Sequence, residues 1–503
     1  MKRNRAMLLP ALLAMLLLGG CTTQMEERPM EDLSSSAYHM DVAAPQQDQY
    51  EAQTENVLLY FLDKDGVTLR PVAREIAVEG GMSRMEAALR ALLDGPAQGD
   101  GDVFWPDMGS PNAVRRMELS GGIAVVDLPS RVRELPPDQL YAVRQAVANT
   151  LTEFPEVHYV NVLVGGREEG LDLAAQLPVG TLTRIDDPDT GVVYARLADQ
   201  RQAGSGLTKL TTLYFPSEDG RYLLPQVRQV AYAGAEPIEY LYQLLEELGR
   251  GAGREAQGGV PAPLKYITEM PEIIRTADGS YRAIEICFDA GLDAALGEAG
   301  LTRGVYIGML TDTLMGFVPG VEGLQISVGQ ELIDELDAAQ TPDGAEIVFE
   351  HALVTRPAFA AYTGAPVTLY LPAEDGKHLV RTACMVAQGE QYDVRARLAG
   401  LMHASESEGM AVLPAGLTDA DILAVYAGRR EIALNLSSAF ASSLGALSPR
   451  EQRMAVFSVV NTLTEGVSAQ RVYFFFEGKQ LEEISGEIDM RGYFVRNPGM
   501  VVE

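Results

Sequence analysis

The sequence predicts an α+β protein built of α/β sandwich-type domains, in which three tandem units each follow the order β-β-α-β-β-α-β. Two short motifs predict this fold, because they recur in the same order along the chain. A third observation agrees with them. The 503 residues, with 47% hydrophobic and 22% charged side chains, have globular composition and suffice for about three domains.

The first recurring motif is a Leu-Tyr-Phe or Leu-Tyr-Leu tripeptide, followed four residues later by an Asp-Gly pair. Its tyrosines recur at intervals of 154 and 156 residues: Tyr60, Tyr214 and Tyr370. The second motif is Asn-Thr-Leu or Asp-Thr-Leu, and its polar residues are Asn149, Asp312 and Asn461. Motifs that repeat in both order and spacing indicate copies of one unit. The predicted copies are copy 1 at 57–185, copy 2 at 208–335 and copy 3 at 366–490.

Each copy begins with a predicted hairpin and a helix. Apolar runs flank the Asp-Gly pairs, and such pairs supply the positive φ values that a tight hairpin turn needs. This is the first hairpin. The first helix follows as an amphipathic segment at 85–93, 238–248 and 394–402. A second hairpin turns at 121–122, 278–279 and 428–429, with returning strands at 123–126, 284–288 and 432–436.

The second helix has the clearest pattern, because its apolar residues stand four apart. Val143, Val147 and Leu151 form such a stripe in copy 1, and equivalent stripes precede Leu314 and Leu463. In copy 3, the sequence from 448 to 451, Ser-Pro-Arg-Glu, combines a capping box with proline at the first helical position. A closing strand is predicted at 159–164, 324–328 and 472–476. The sheet is then mixed or antiparallel, with both helices on one face.

The connections at 186–207 and 336–365 are predicted to be mainly exposed joints, although the apolar run at 347–349 adds some structure to the second. Each copy contains its own hairpins, helices and closing strand within the usual size of a domain. The sequence therefore predicts that the three copies fold independently.

The first 21 residues resemble a bacterial export signal. Basic residues at 2, 3 and 5 precede an apolar run at 6–18 that is short for a membrane span, and then two glycines and Cys21. The order Leu-Gly-Gly-Cys resembles a lipobox, which implies that Cys21 carries a diacylglyceryl anchor. An ordinary cleaved signal with an incidental cysteine is the alternative. Residues 22–56 are acidic and lack periodicity, and this predicts a flexible tether.

Charge and motif content narrow the function classes. A net charge of −30 repels phosphate backbones and anionic lipid headgroups, so we expect no nucleic-acid partner. The five histidines and three cysteines show no metal-ligand spacing, and there is no P-loop or Gly-x-Ser-x-Gly motif. We therefore expect neither an enzyme, a cofactor nor a metal site. Cys287 and Cys384 fall in different copies and are expected to be buried free thiols.

Three sets of repeated polar residues are candidate sites. The polar residues of the second motif, Asn149, Asp312 and Asn461, face a partner in one interpretation and bond the backbone near the helix end in the other. The aspartates of the Asp-Gly pairs are either cation or sugar ligands or, more simply, turn formers. The tyrosines are either a stacking platform for a glycan or part of the packed sheet.

These motifs together resemble the GerMN domain of sporulation and spore-germination lipoproteins. The resemblance rests on the lipobox, the acidic tether, the Leu-Tyr-Phe and Asp-Gly motifs, and the helix that ends in Asn-Thr-Leu-Thr-Glu. Copy 2 departs from this pattern, with Asp312 for Asn and Met315-Gly316 for Thr-Glu. The family carries no established catalytic residue. The resemblance implies a lipid-anchored protein on the extracytoplasmic face of the cell membrane, including the space between mother cell and forespore.

Two functions from different classes remain open. The first is a scaffold of sporulation or germination, whose exposed sheet edges or helix faces dock onto envelope proteins. The second is a cell-wall lipoprotein that binds peptidoglycan by stacking aromatic side chains on sugar rings. The single tryptophan, Trp105, disfavours the second function.

Overall fold

The computed structural model describes residues 42–109, 116–170, 177–199, 207–234, 236–252, 259–277, 279–407, 412–484 and 488–502. The chain divides into one unit at 1–43 and a second at 44–503. Nearly all of the first unit, including the predicted signal segment and Cys21, lies outside the described residues. The second unit contains all three copies.

Each copy has the predicted order of elements, so the predicted α+β fold class is confirmed. In copy 1, the two hairpins, two helices and closing strand are, in chain order, Gln53–Leu62, Leu69–Val78, Arg84–Leu93, Arg116–Ser120, Ile123–Leu128, Pro137–Leu151 and Tyr159–Val164. In copy 2 they are Leu207–Pro216, Leu223–Tyr232, Pro237–Gly249, Glu272–Arg275, Arg282–Phe288, Arg303–Met315 and Gly323–Val328. In copy 3 they are Gly364–Pro372, Leu379–Ala387, Val394–Ser407, Ile422–Ala427, Glu431–Leu436, Pro449–Thr464 and Arg471–Phe476.

Helices outside the repeated order also occur. Pro263–Tyr266 and Gly291–Glu298 lie inside copy 2, Ser438–Gly445 lies inside copy 3, and Thr190–Asp199 follows copy 1. The capping box predicted for the second helix of copy 3 is present, since Ser448 accepts from the Glu451 amide and Glu451 accepts from the Ser448 amide. None of the helices in the described part of the chain is long and apolar enough to cross a membrane.

The repeated strands of each copy lie in two sheets, not in the single sheet predicted. The first hairpin is antiparallel and lies in one sheet, and the second hairpin, also antiparallel, belongs to another sheet, which is mixed. The returning strand of the second hairpin, however, runs parallel to the closing strand, with Ile123 opposite Tyr159 in copy 1 and Glu431 opposite Arg471 in copy 3. A parallel pair needs a long crossover connection, and the second helix supplies it. The end of this helix therefore lies beside the first hairpin, where the tyrosine motif is.

The hydrophobic cores correct the prediction of three independent domains. One continuous core runs through copies 1 and 2, and a separate core fills copy 3. The connection at 336–365 is no exposed joint, because Phe349, Phe359 and Tyr362 are buried in the shared core. Buried apolar area is the main stabilising contribution to folding. Copies 1 and 2 are therefore expected to unfold together.

The predicted tether, 22–56, also extends too far toward copy 1. Gln49–Tyr50 is a strand that pairs in parallel with Tyr426 and Ala427 of copy 3. Nearby, Asp48 makes a bidentate ion pair with Arg395, with both oxygen–nitrogen distances at 2.7 Å. These backbone and charge-assisted bonds hold the residues just before copy 1 against copy 3. Cys287 and Cys384 are partly buried rather than fully buried.

We expect Leu463→Ala to destabilise copy 3 by about 2–5 kcal/mol, because it deletes fully buried methyl groups and leaves a cavity. Denaturant unfolding of the chain, followed by a probe in copy 3, measures this loss. The control is Val467→Ala, since Val467 is partly exposed and should change stability by no more than about 0.5 kcal/mol. Equal effects of the two variants would mean that the stripe of the second helix does not face the core.

Candidate functional site: repeated tyrosine clusters

The same hydrogen bond joins the two recurring motifs in every copy. The backbone N–H of the motif tyrosine donates to the hydroxyl of the threonine in Asn-Thr-Leu or Asp-Thr-Leu. The N–Oγ1 distances are 3.0 Å for Tyr60 and Thr150, 2.9 Å for Tyr214 and Thr313, and 3.1 Å for Tyr370 and Thr462. A buried strand amide is thereby satisfied by the second helix. The two motifs recur together because they touch.

In copy 1, the tyrosine hydroxyl lies in a cluster of charged groups. Tyr60 donates to Glu153 at 2.7 Å and accepts from Arg184 at 2.7 Å, and Arg184 also pairs with Glu153. The guanidinium lies over the tyrosine ring, 5.5 Å from its centroid. Burial, followed by the bond to Glu153, raises the pKa of Tyr60. This Tyr60 cluster uses residues of copy 1 alone.

Copy 3 repeats this arrangement with one more arginine. Tyr370 donates to Glu465 at 3.0 Å, and both Arg381 and Arg496 bond to the Tyr370 hydroxyl and to Glu465. Glu465 and Glu153 are the glutamates of the Thr-Glu pairs that close the second motif. Arg381 lies opposite Tyr370 in the first hairpin, where copy 1 has Pro71. The Tyr370 cluster therefore contains two arginines for one carboxylate.

Copy 2 completes its cluster with a residue of copy 1. Tyr214 donates to Glu118 at 2.7 Å, and Arg356 donates to Glu118 and to the Tyr214 hydroxyl, both at 3.1 Å. Glu118 is in the second hairpin of copy 1, 238 residues from Arg356. All three side chains are buried. Burial opposes the charge on Arg356, but Asp312, Tyr214 and Glu118 raise its pKa overall. The Tyr214 cluster is thus an interface between two copies.

The departure of copy 2 from the Thr-Glu motif permits this contact. Gly316 stands at the position of Glu153 and Glu465, and its carbonyl accepts from Asn161 of copy 1 at 3.4 Å. The Met315 carbonyl accepts from the Glu168 amide of copy 1 at 2.9 Å. A β-carbon at Gly316 would lie 2.7 Å from the Asp312 carbonyl oxygen and 3.6 Å from the Asn161 amide nitrogen. A side chain there would therefore require the end of the helix, which contacts copy 1, to shift.

The polar residues of the second motif lie inside the protein, which corrects their interpretation as partner-facing positions. Asn149 donates to the Ile185 carbonyl at 2.9 Å and accepts from the Ile185 amide at 3.1 Å. Asn461 makes the same two bonds with Asn497, at 3.4 and 3.0 Å. Asp312 is buried beside Arg356, which donates to its carbonyl at 2.7 Å. Each thus holds the segment that follows the closing strand of its copy.

Sequence reasoning missed the arginines of these clusters. Arg184 and Arg496 directly precede the residues that bond to Asn149 and Asn461, so a repeated basic residue after each closing strand was the available signal. The Asp-Gly aspartates behave as turn formers. Asp65 accepts from the amides of residues 67 and 68 at 2.9 Å, and Gly66 has a φ of 76°. Among the described residues, no group of three His, Cys, Asp or Glu side chains could hold a metal ion.

A second buried charge cluster lies where copies 1 and 2 meet. Arg144 donates to Glu168 at 3.1 Å, and the Val179 amide donates to the same carboxylate oxygen at 3.3 Å. Burial raises the pKa of Glu168 to about 7, although Arg144 and Val179 partly oppose the change. Burial lowers the pKa of Lys209, in copy 2, to about 8. Charged groups withdrawn from water in this way make the contact sensitive to pH.

Comparisons with known proteins found a family model and solved structures that are similar to parts of the chain. The family model Germane, described as sporulation and spore germination, matches residues 58–170 and 368–482, which lie in copies 1 and 3. No curated protein matches the sequence. Among solved structures, the tandem GerMN domains of the sporulation protein GerM from Bacillus subtilis are 16% identical, with 57% of this chain and 98% of that chain covered and a TM-score of 0.21. A protein from Clostridium perfringens is 19% identical, with 27% and 91% covered and a TM-score of 0.18.

Copy 2 lies outside the two matched regions, yet it has the same order of elements and the same bond between its two motifs. Its departures from the motif, at Asp312, Met315 and Gly316, are residues that contact Arg356 or copy 1. The chain thus carries two regions that match the sporulation and spore-germination family, and copy 2 between them repeats their order of elements.

Proposed function

We propose that this protein is a non-catalytic, lipid-anchored scaffold on the extracytoplasmic side of the membrane, which assembles with envelope proteins of sporulation or germination. The Tyr214 cluster carries the proposal. There, one GerMN-type unit docks onto another through Glu118, Tyr214 and Arg356, with all three side chains buried. Buried charge-assisted bonds of this kind specify which surfaces meet. A unit that docks in this way inside the chain is suited to dock between chains.

The Tyr370 cluster offers a related surface on copy 3 that faces solvent. The Arg381 side chain is 58% exposed, and Tyr493 and Val495 are 44% and 51% exposed close to Arg496 in sequence. Arginine, tyrosine and aliphatic residues together are typical of protein interfaces. The excess of arginine over carboxylate in this cluster favours a partner that presents an acidic side chain, as Glu118 does toward Arg356.

Crosslinking and co-purification from sporulating cells test the scaffold. We expect envelope proteins to co-purify with the parent chain, and Arg381→Ala combined with Tyr493→Ala to reduce their yield at least about fivefold, because interface arginines and tyrosines are frequent hot spots. Arg70→Ala is the control, since Arg70 is similarly exposed on copy 1 and should not alter the yield. Co-purified proteins that are unaffected by the double variant would refute this surface as the docking site.

The membrane anchor has its own test. We expect Cys21→Ser to move the protein from the membrane pellet to the soluble or released fraction, because the diacylglyceryl anchor cannot form without the thiol. Fractionation followed by immunoblotting measures the change, and metabolic lipid labelling of the parent detects the anchor directly. A variant that still sediments with the membrane would show that Cys21 is not the anchor.

A further inference from the structure

A cleft between copies 1 and 2 takes no part in the tyrosine clusters. Its volume is about 490 Å³, within the rough range of 300–1,000 Å³ that small-molecule sites occupy. Copy 1 contributes Ser130, Arg133 and Arg167, copy 2 contributes Tyr281 and Glu322, and the connection after copy 2 contributes His351. The shared core of the two copies supports both walls. The cleft is therefore formed by the contact between copies and is absent from a single GerMN-type unit.

The backbone is strained at one wall. His351 has a φ of 59° and Ala352 a φ of 52°, so two successive residues with side chains adopt the left-handed conformation. That conformation is unfavourable for residues other than glycine and persists where the surroundings or a function require it. In this conformation, the imidazole of His351 lies 5.9 Å from the Tyr281 ring, at an interplanar angle of 44°. The two rings form an aromatic surface on the cleft.

Arg133, Arg167 and Glu322 belong to one polar network. Arg167 contacts Glu322 at 3.1 Å and Glu169 at 3.0 Å, and Arg133 bonds to Glu169 at 2.5 Å and to the Val164 carbonyl at 3.2 Å. Each arginine is paired with a carboxylate, so their charges offset each other. These side chains therefore offer hydrogen-bond donors and acceptors to an uncharged ligand rather than a binding site for an ion. An aromatic surface facing paired donors and acceptors matches a sugar ring, whose C–H face stacks while its hydroxyls bond to polar side chains.

We propose that this cleft binds a saccharide unit of a glycan, stacked on Tyr281 and His351 and hydrogen-bonded to the Arg167–Glu322 pair. The site is separate from the docking surface on copy 3, so it adds a glycan-binding activity to the scaffold. The strained His351 and Ala352 then hold the imidazole where the sugar would stack. The chain would contact a glycan and a protein partner with different surfaces.

Isothermal titration of the mature chain carrying Cys21→Ser tests this site. The probes are the disaccharide of N-acetylglucosamine and N-acetylmuramic acid, chitotriose and maltotriose. We expect at least one to bind, and Tyr281→Ala to weaken it about tenfold, the loss expected when a stacking aromatic is removed. His351→Gly should weaken binding as well while the Tm does not fall, because glycine relieves the left-handed strain. Which probe binds distinguishes a cell-wall glycan from another glucan.

The matched control is Arg381→Ala with Tyr493→Ala, which should bind the saccharides like the parent. This control also separates the two proposals, since loss of the docking surface leaves the cleft intact. The proposal is overturned if none of the three probes binds at millimolar concentration. It is also overturned if Tyr281→Ala and His351→Gly, folded as judged by their Tm, bind like the parent.

Discussion

Glu118→Ala is expected to lower the free energy of unfolding of copies 1 and 2 by about 1.5–3 kcal/mol, because it removes the carboxylate that accepts from the buried Arg356 guanidinium and leaves Asp312, 3.5 Å away, as the remaining partner charge. Arg356 is 3% exposed, so water cannot replace the lost partner without opening the interface. The Tyr214 hydroxyl loses the same acceptor. Leaving buried donors without their charged acceptor is one of the few single changes that are this damaging.

Urea unfolding of the full chain measures this effect, with Glu153→Ala as the matched control. Glu153 has the equivalent role in the partly exposed Tyr60 cluster, so its loss should cost about 1 kcal/mol or less. If Glu118→Ala were as mild as Glu153→Ala, the Tyr214 cluster would not join the two copies.

Glu168→Gln is expected to remove a pH dependence that lies between about pH 4.5 and 7. The folded-state pKa of Glu168 is raised to about 7 from its usual 4.5. Between these values the folded protein keeps a proton that the unfolded chain has released, so stability falls as the pH rises. From pH 4 to pH 7.5, this group lowers the free energy of unfolding by about 3 kcal/mol. Lys209 remains protonated below its pKa of about 8 and does not titrate in this interval.

Urea unfolding at pH 4.5, 6 and 7.5 tests this second prediction. The measured quantity is the difference in the free energy of unfolding between the variant and the parent. Glu168→Gln should gain stability relative to the parent as the pH rises, because an amide has no proton to release. Glu153→Gln is the control and should show no such gain, since its carboxylate is partly exposed and paired with Arg184. If the stability of Glu168→Gln and that of the parent changed with pH in parallel, burial would not be the dominant influence on the pKa of Glu168.

Periodicity and turn chemistry were sufficient to predict the elements of each copy. The stripe at Val143, Val147 and Leu151 lies in the observed helix Pro137–Leu151, and the predicted closing strand at 159–164 matches Tyr159–Val164. These patterns are local, because a helix buries one face at a spacing near 3.6 residues and a hairpin depends on its turn. The recurrence of Tyr60 with Thr150 likewise reflects a contact inside one copy.

The sequence by itself therefore determined the fold class, the number of copies and the position of the tyrosine motif in each. Tertiary structure alone decided which copies share a core, that Glu118 completes the cluster of Tyr214 and Arg356, and that Gln49–Tyr50 pairs with copy 3. The reason is physical. Local patterns indicate which residues of a segment are buried, exposed or in contact with near neighbours in sequence. A carboxylate and a guanidinium 238 residues apart come into contact only when whole copies pack together.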